Sequence, residues 1–269
     1  MPNSPPDGRP IATGSRRLSI RQGLAVARER LLWNRRTDAW EHEGAAGLEK
    51  VVTAVLEECH DLPEGTVALD IGCGSGQVTI PLAAMCERVL AVDVSEIAVG
   101  RLRTIAGEAG VTNIQAETQA IETLELAEAS LDLIVTNYAL HHLRDADKVA
   151  LLGRARRWLR PGGRLVIGDM MFGRGTDAAD RRVIATKARA FIARGPAGWW
   201  RLAKNLGRFA FRVWEKPLPA ARWESLIRDA GFEQVATRRV VSEACVVSAR
   251  TPLTAVTPAP DPGPAAAAR

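Results

Sequence analysis

The chain lacks the cysteine patterns that bind zinc or build a disulfide framework. Its four cysteines are scattered, without CxxC spacing or a neighbouring pair of histidines. No stretch approaches the ~20 apolar residues that a membrane span needs. The first ten residues, MPNSPPDGRP, also lack the apolar core of a secretory signal. We therefore expect a soluble, cytoplasmic protein without a metal site.

Proline-rich segments at both ends bound a central region of ordinary globular composition. Residues 1–15 and residues 251–269, TPLTAVTPAPDPGPAAAAR, carry too little apolar area to repay the entropy of ordering, and both are predicted to be disordered tails. The 269-residue chain is 46% hydrophobic and 25% charged, which excludes a collagen-like or wholly disordered protein. A single domain is expected over residues 16–250.

The net charge of +5 is modest, but the basic residues are concentrated in two segments. Residues 9–36 hold eight Arg against one Glu, and residues 181–216 hold ten Lys or Arg against one Glu. Each segment is either a solvated helix face or a surface that attracts an acidic substrate, nucleic acid or anionic lipid. Aromatic residues among the basic ones make 181–216 a candidate acceptor lid, a peripheral contact with anionic lipid, or a helix packed on the core.

Short apolar runs alternate with helical patterns through the middle of the chain. The runs without polar alternation are predicted to be strands buried on both faces: Val67 to Ile71, Val89 to Val92, Leu131 to Val135 and Leu165 to Ile167. The helices between them are predicted at Gln77 to Glu87, Ser95 to Ala109 and Ala146 to Leu159. This alternation predicts an α/β fold with a parallel sheet covered on both faces. A final antiparallel pair is predicted within residues 232–249.

A glycine-rich turn follows the first of these strands. The strand ends in Asp70 and runs into Gly72, Gly74 and Gly76, and the next strand ends in Asp93, 21 residues beyond Gly72. A tight strand-to-helix turn needs residues that tolerate positive φ, and the missing side chains let a ligand lie against the backbone. A carboxylate at the end of the second strand can accept both ribose hydroxyl protons.

Position 77 distinguishes two classes of cofactor. A dinucleotide fold with the GxGxxG fingerprint requires glycine there, and the chain has Gln77. The acidic residue followed by GxGxG instead resembles class I S-adenosylmethionine-dependent methyltransferases. The stretches TNYALHHL and LRPGGRLVIGDMMF extend this resemblance over residues 67–170, and they look most similar to small-molecule methyltransferases of the quinone and sterol type.

The resemblance implies a Rossmann-like three-layer sandwich, with a mostly parallel seven-stranded sheet and an antiparallel terminal strand. Residues 16–250 would form the methyltransferase domain, with a cofactor half at 60–170 and an acceptor or lid region at 171–230. The implied ligands of S-adenosylmethionine are Asp70, Gly72, Gly74 and Gly76 in the loop, Asp93 at the ribose, Val94 beside the adenine, and Asn137 after the fourth strand. The family's usual Asp at the adenine is absent, which leaves adenine recognition near Gln119, Ala120 or Ile121.

Candidates for the chemistry lie after the fourth and fifth strands. Transfer of a methyl group from a sulfonium depends mainly on positioning the acceptor, and a neutral histidine can take the proton that leaves it. His141 and His142 are the candidate bases, although each could simply cap or pack in its turn. Asp169 ends the fifth strand, where it either contacts the acceptor or caps a turn. Trp33 and Trp40 either close over the cofactor or pack on the sheet.

The function expected from this pattern is methyl transfer to a small-molecule acceptor, which could be hydrophobic. The alternatives are an RNA or protein methyltransferase that uses the basic surfaces, and a non-enzymatic S-adenosylmethionine-binding protein. Nucleic acid is disfavoured because TNYA stands where many base N-methyltransferases carry an NPPY-type tetrapeptide.

Overall fold

A computed structural model describes residues 10–43, 45–173 and 216–254, with isolated positions at 181, 185, 189, 192 and 195. Side chains at position 21 and from 36 to 46 are outside that description. Most of the predicted acceptor or lid region, the side chain of Trp40, and tail residues 1–9 and 255–269 therefore lie outside the described residues.

Nine strands form two sheets within the described part of the chain. The strands are β1 (Thr13–Ser15), β2 (Val67–Ile71), β3 (Arg88–Asp93), β4 (Ile114–Thr118), β5 (Leu124–Leu126), β6 (Leu131–Asn137), β7 (Leu159–Met170), β8 (Glu233–Arg239) and β9 (Ala244–Arg250). Seven of them form one sheet in the order β4-β3-β2-β6-β7-β9-β8. The pairs among β4, β3, β2, β6 and β7 are parallel, and β9 runs antiparallel to both β7 and β8.

The helices are α1 (Ile20–Glu43), α2 (Ala45–Glu57), α3 (Thr79–Ala83), α4 (Glu96–Glu108), α5 (Asp145–Trp158) and α6 (Ala220–Asp229), with a 3₁₀ turn at Leu140–His142. Ser95 caps α4, since its hydroxyl accepts a hydrogen bond from the Ala98 N–H. The α/β sandwich with a mostly parallel seven-stranded sheet is therefore confirmed.

The central strands are apolar throughout because both faces of the sheet are covered. Leu69 and Ile71 of β2 pack in one core cluster with residues of α5 and α6, whereas Ala68, just before Leu69, packs in another cluster with residues of α2. Alternate side chains of one strand thus enter different cores. This two-sided burial explains why these strands read as continuous hydrophobic runs.

Three local predictions need correction. The predicted helix Gln77 to Glu87 is only α3, because the glycine turn continues through Gln77 and delays the first helical residue to Thr79. Pro161, Gly162 and Gly163, whose composition predicts a turn between a helix and the next strand, lie inside β7, which accommodates them by a positive φ of 78° at Gly162 and a register shift against β6. The structure also gives β1 within the segment 1–15 that the composition predicts to be disordered.

The β1 segment is ordered by pairing that composition does not reveal. It pairs antiparallel with β5, in the register Gly14 to Glu125. Just before it, Ile11 is buried, and its backbone N–H donates to the Gln115 Oε1 at 2.7 Å. A few residues of a proline-rich end therefore gain both hydrogen bonds and burial, which offset the entropy of ordering.

Across the described ranges, no helix combines the length and the apolarity needed to cross a membrane. The same residues contain no group of three or more His, Cys, Asp or Glu side chains arranged to hold a metal ion.

Candidate functional site

The carboxyl ends of β2, β3 and β6 meet where the strand order of the sheet reverses. β2 is flanked by β3 on one side and β6 on the other, so the chain leaves their ends in opposite directions and opens a crevice. A cavity with about 1070 Å³ of empty space, including its open mouth, fills this crevice. This size suits a ligand with the dimensions of a nucleoside.

The cavity brings together most of the residues that the sequence predicts for cofactor binding or for catalysis. Those that line it are Asp70, Gly72, Gly74, Asp93, Val94, Ile121, Asn137 and His142. The predicted residues that are not among its lining are Gly76, Gln119, Ala120, His141 and Asp169. Lining residues that the sequence did not single out include Glu29, Ser95, Glu122 and Tyr138.

The glycine turn approaches the loop after β6 very closely. Gly72 has a φ of 72°, and a Cβ at this position would lie 2.3 Å from the Cβ of Ala139. Its N–H donates to the carbonyl of Val92 at 2.8 Å, which fastens the turn to β3. Gly74 also has a positive φ, of 52°, but a Cβ there would meet nothing within 4 Å. Glycine at 72 thus permits close packing of two loops, whereas Gly74 leaves open space.

Asp93 holds the end of β3 against the glycine turn. Its Oδ2 accepts a hydrogen bond from the Gly74 N–H at 3.0 Å, and its Oδ1 accepts one from the Ser95 N–H at 2.8 Å. Burial raises the pKa of Asp93, and these N–H donors oppose the rise. Each carboxylate oxygen keeps a second lone pair, so a ligand in the cavity can still donate hydrogen bonds to it.

Asp70 lies at the floor of the cavity with only 1% of its surface exposed. The Thr79 hydroxyl donates to its Oδ2 at 2.6 Å. Burial raises the pKa of this carboxyl from 3.8 to about 7, the Thr79 hydrogen bond opposes the shift, and the nearby charge of Asp93 adds to it. A carboxyl that titrates near neutral pH in a cavity is typical of a functional site.

The raised pKa of Asp70 predicts a pH-dependent stability. Between its unfolded value of 3.8 and about 7, the folded protein holds a proton that the unfolded chain has released, so the free energy of unfolding falls as pH rises through this interval. Asp70→Asn removes this dependence. Urea unfolding of the ligand-free proteins should show that wild type loses on the order of 2–4 kcal/mol relative to Asp70→Asn between pH 4.5 and 8. Parallel pH profiles for the two proteins would contradict the assignment.

The end of β6 presents a buried acceptor to the cavity. The Asn137 Oδ1 is buried and has no hydrogen-bond partner in the described part of the chain. The next residue, Tyr138, has a φ of 51°, which is rare for a side chain of this size, and its N–H donates to the carbonyl of Gly168 at 2.8 Å. Strain of this kind often marks ligand sites. Asn137 is therefore available to a ligand that carries a hydrogen-bond donor.

The loop after β4 differs from the prediction for adenine recognition. The Gln119 Nε2 donates to the carbonyl of Gly14 at 2.9 Å, so this side chain is turned toward the N-terminal strand. Ala120 is buried and lies outside the cavity. Ile121 and the acidic Glu122 line the cavity instead. The ordered β1 segment explains the difference, because it gives Gln119 a partner on the far side of the loop.

The two adjacent histidines have different environments. The His141 Nδ1 lies 2.5 Å from the Asp169 Oδ1, and its backbone N–H donates to the Asp169 Oδ2 at 2.8 Å. Both residues are at most 1% exposed. His142 instead lines the cavity, and its ring centroid lies 3.9 Å from that of His141. The buried pair of His141 and Asp169 thus supports the turn that presents His142.

Lys216 fastens this histidine turn from outside. Its backbone N–H donates to the His141 carbonyl at 2.6 Å, and its Nζ donates to the His142 carbonyl at 3.1 Å. The fully buried Lys148 Nζ in turn donates to the carbonyl of Lys216. Lys216 ends the basic segment 181–216, so the chain returns from that segment directly onto the candidate site.

Helix α1 closes one side of the cavity. It contributes Glu29 and Trp33, and the Trp33 ring stands edge-on to His142 with the ring centroids 4.8 Å apart. Burial raises the pKa of Glu29 to about 7, and the neighbouring charge of Glu122 adds to this shift. The Ser95 hydroxyl donates to the Asn34 Oδ1 at 2.9 Å, which ties α1 to the start of α4.

The cavity is acidic. Its lining includes the carboxyl groups of Glu29, Asp70, Asp93 and Glu122, and it includes no Lys or Arg within the described residues. Such a lining favours a ligand with positive charge and disfavours a pyrophosphate.

Comparison with known proteins finds similarity to methyltransferases in the part of the chain that surrounds this cavity. Residues 68–163 match the family described as "Methyltransferase domain". A dimethylglycine N-methyltransferase of Parasynechococcus marenigrum is 28% identical over 186 residues, which cover 68% of this chain and 64% of the relative. The chain spans a smaller share, 33% and 25%, of two further curated relatives.

Solved structures share the fold at lower identity. The Burkholderia thailandensis 1,6-didemethyltoxoflavin-N1-methyltransferase, solved with 1,6-didemethyltoxoflavin and S-adenosylhomocysteine, aligns with a TM-score of 0.60 at 21% identity, over 91% of this chain and 96% of that one. The [4+2]-cyclase SpnF aligns with a TM-score of 0.62 at 15% identity, over 85% of this chain and 97% of that one. The fold alone therefore does not decide the reaction.

Proposed function

We propose that this chain, whose residues 68–163 match a methyltransferase domain family, is a class I methyltransferase that uses S-adenosylmethionine to methylate a small-molecule acceptor. The observation that carries the proposal is the acidic cavity at the ends of β2 and β3, with Asp93 in its lining. S-adenosylmethionine carries a sulfonium and an ammonium, so it gains from this lining. The pyrophosphate of a dinucleotide would find no Lys or Arg in the described lining of this cavity. The helix that follows the glycine turn, α3, has only five residues and offers little anion binding at its N-terminus.

The residues present fit the proposed cofactor. The Asp93 carboxylate can accept the two ribose hydroxyl groups, and the Asn137 Oδ1, which is buried without a partner among the described residues, can accept from the ammonium. Open space at Gly74 lets the methionine portion lie against the backbone. We assign the adenine to Val94 and Ile121, and its amino group to Glu122.

When bound, the cofactor supplies an electrophilic methyl group on a positively charged sulfur. The chain positions the acceptor and removes water from the cavity. We propose that His142 takes the proton that leaves the acceptor, because it lines the cavity, whereas His141 and Asp169 position it from below the surface. On this assignment, His141 is a positioning residue and not the base.

A second cavity adjoins the first and provides room for the acceptor. It shares Glu29, Trp33, Glu122, His142 and Leu143 with the cofactor cavity. Its other lining residues mix apolar, acidic and basic side chains: Gln22, Ala25, Val26, Arg28, Leu32, Arg144, Asp147 and Lys216. We propose that the acceptor binds here, which would place it beside His142. A cavity of this kind is typical of small-molecule sites and does not favour a polyanionic acceptor.

Transfer of label from S-adenosylmethionine tests this function. The protein is incubated with methyl-labelled S-adenosylmethionine and a fractionated cell extract, and label is followed into small-molecule, lipid, RNA and protein fractions. We expect label in the small-molecule or lipid fraction. Label in RNA or protein would support the alternative methyltransferases, and no transfer by a protein that binds the cofactor would support a non-enzymatic binding protein.

The roles of the two histidines give a separate prediction. With the labelled acceptor, His142→Ala is expected to lower kcat by about 100-fold and to remove the loss of rate at low pH that an imidazole base causes. His141→Ala should instead lower stability by about 2–4 kcal/mol, because it leaves the Asp169 carboxylate buried without the imidazole. His60→Ala, at an exposed histidine outside the cavity, is the control. Near-normal turnover in His142→Ala would remove this residue from the mechanism.

Three finer expectations remain proposals. The first is a cytoplasmic location, and the second is the division of the domain into a cofactor half and an acceptor region. The third is contact of residues 181–216 with anionic lipid, and most of that segment lies outside the described residues.

A further inference from the structure

We propose that the outward face of α1 binds the surface of an anionic lipid membrane. This surface lies outside the cofactor cavity, although Arg28 at its edge also lines the second cavity, and the proposal does not depend on the methyl transfer proposed above. An exposed apolar stripe, the arginines that border it and the contacts that hold α1 support this proposal.

The stripe consists of Ile20, Leu24, Ala27 and Leu31. Spacings of three and four residues bring these side chains to one side of the helix, over about 16 Å of its length. Ile20 is 84% exposed, Leu24 67% and Leu31 63%, so the large members of the stripe contact little else in the chain. A row of exposed aliphatic side chains along one helix face is unusual for a surface that meets only water.

Arginines border the stripe on both sides. Arg28 and Arg35 follow Leu24 and Leu31 by four residues and lie along one edge, and Arg30 lies along the other. All three are exposed, and none forms an ion pair within the described residues. The only acidic residue between positions 9 and 36 is Glu29, which faces the cavity. The outward face is therefore apolar and bordered by cationic side chains, of which Arg28 also lines the second cavity together with Glu29 and Asp147.

The opposite face of α1 fixes this orientation. Glu29 and Trp33 line the cofactor cavity, so the residues of the stripe point away from it. Asn34, three residues beyond Leu31, marks the end of the stripe, where it is bonded to Ser95 at the start of α4. An apolar stripe with arginines at its edges matches the interface of an anionic bilayer, where aliphatic side chains enter the acyl boundary and guanidinium groups meet the headgroup phosphates.

Vesicle sedimentation of the full chain tests the proposal, with phosphatidylcholine vesicles and with mixed vesicles of phosphatidylcholine and phosphatidylglycerol. We expect at least tenfold stronger binding to the mixed vesicles, weakened by added salt. Leu24→Ser/Leu31→Ser should reduce this binding about tenfold, because the stripe loses its apolar contact. Arg28→Gln/Arg35→Gln should reduce it by a similar factor.

Leu253→Ser is the matched control, since Leu253 is 84% exposed and lies outside α1, and it should bind within twofold of wild type. Absent binding, equal binding to both vesicle types, or unchanged binding by the α1 variants would overturn the proposal. Two further outcomes would show that the stripe binds something other than a membrane.

A dimer that Leu24→Ser/Leu31→Ser dissociates, without vesicle binding, would indicate that the stripe contacts a second copy of the chain. A Tm lowered by several degrees in that variant, again without vesicle binding, would indicate burial against another segment of the same chain.

Discussion

Asp93→Ala is expected to weaken the binding of S-adenosylhomocysteine by about 100-fold or more. Hydrogen bonds to a charged acceptor contribute roughly 1.5–3 kcal/mol each, and the variant loses the two that the ribose would donate. It also leaves the N–H groups of Gly74 and Ser95 without the carboxylate that now joins them. The floor of the site should therefore loosen as well. Equilibrium dialysis with labelled S-adenosylhomocysteine measures the effect directly.

Glu96→Ala provides the comparison for Asp93→Ala. Glu96 is exposed, lies three residues further along the chain in the first turn of α4, and is not part of the cavity lining. Its removal should change the affinity less than twofold. An Asp93→Ala protein that is folded by circular dichroism and binds as tightly as wild type would refute the assignment of the ribose to this carboxylate.

Gly72→Ala is expected to lower the free energy of unfolding by about 3 kcal/mol or more. The new Cβ would lie 2.3 Å from the Cβ of Ala139, and the backbone would hold an alanine at a φ of 72°. The left-handed conformation alone costs an L-residue roughly 1–2 kcal/mol. The remainder comes from separating the turn after β2 from the loop after β6, and cofactor affinity should fall with it. Denaturant unfolding measures the stability change.

Two variants separate the causes of the Gly72→Ala effect. Gly110 has a φ of 66° and nothing within 4 Å of its Cβ position, so Gly110→Ala should show only the conformational cost, roughly 1–2 kcal/mol. Gly72→Ala/Ala139→Gly removes the opposing methyl group and should recover most of the difference. Equal destabilisation by Gly72→Ala and Gly110→Ala, or no recovery in the double variant, would mean that the close approach is not what requires glycine.

The sequence predicts the cofactor half of the site well because its residues are local to one β-α-β unit. Asp70, Gly72 and Asp93 lie at the ends of strands that form from contiguous apolar runs, and the parallel pairing of β2 with β3 brings them to one edge. Spacing along the chain is therefore enough to place them. The helix after the turn is shorter than predicted because the apolar pattern does not reveal where a glycine turn stops.

Residues that approach the cavity from distant parts of the chain could not be predicted in this way. Glu29 comes from α1, about 40 residues before Asp70, and its position depends on how α1 packs on α4. Gln119 was expected at the adenine, but the ordered segment at Gly14 and Ser15 supplies its hydrogen-bond partners outside the cavity. Glu122, which lines the cavity, lies one residue beyond the stretch 119–121 that the spacing indicates.

The sequence also could not show which of the two adjacent histidines faces the cavity. His141 and His142 are neighbours in the chain, and both match the pattern expected for a base. The 3₁₀ turn at residues 140–142 directs His141 toward Asp169 and His142 toward the cavity. This distinction depends on the side-chain direction within one short turn, which neither periodicity nor spacing fixes.

A crystal structure of the chain with S-adenosylhomocysteine tests the central claim most directly. The account predicts density for the ligand in the acidic cavity, with the ribose hydroxyl groups within about 3 Å of the Asp93 carboxylate and the adenine between Val94 and Ile121. An empty cavity at saturating ligand, or a ligand whose ribose lies away from Asp93, would contradict it.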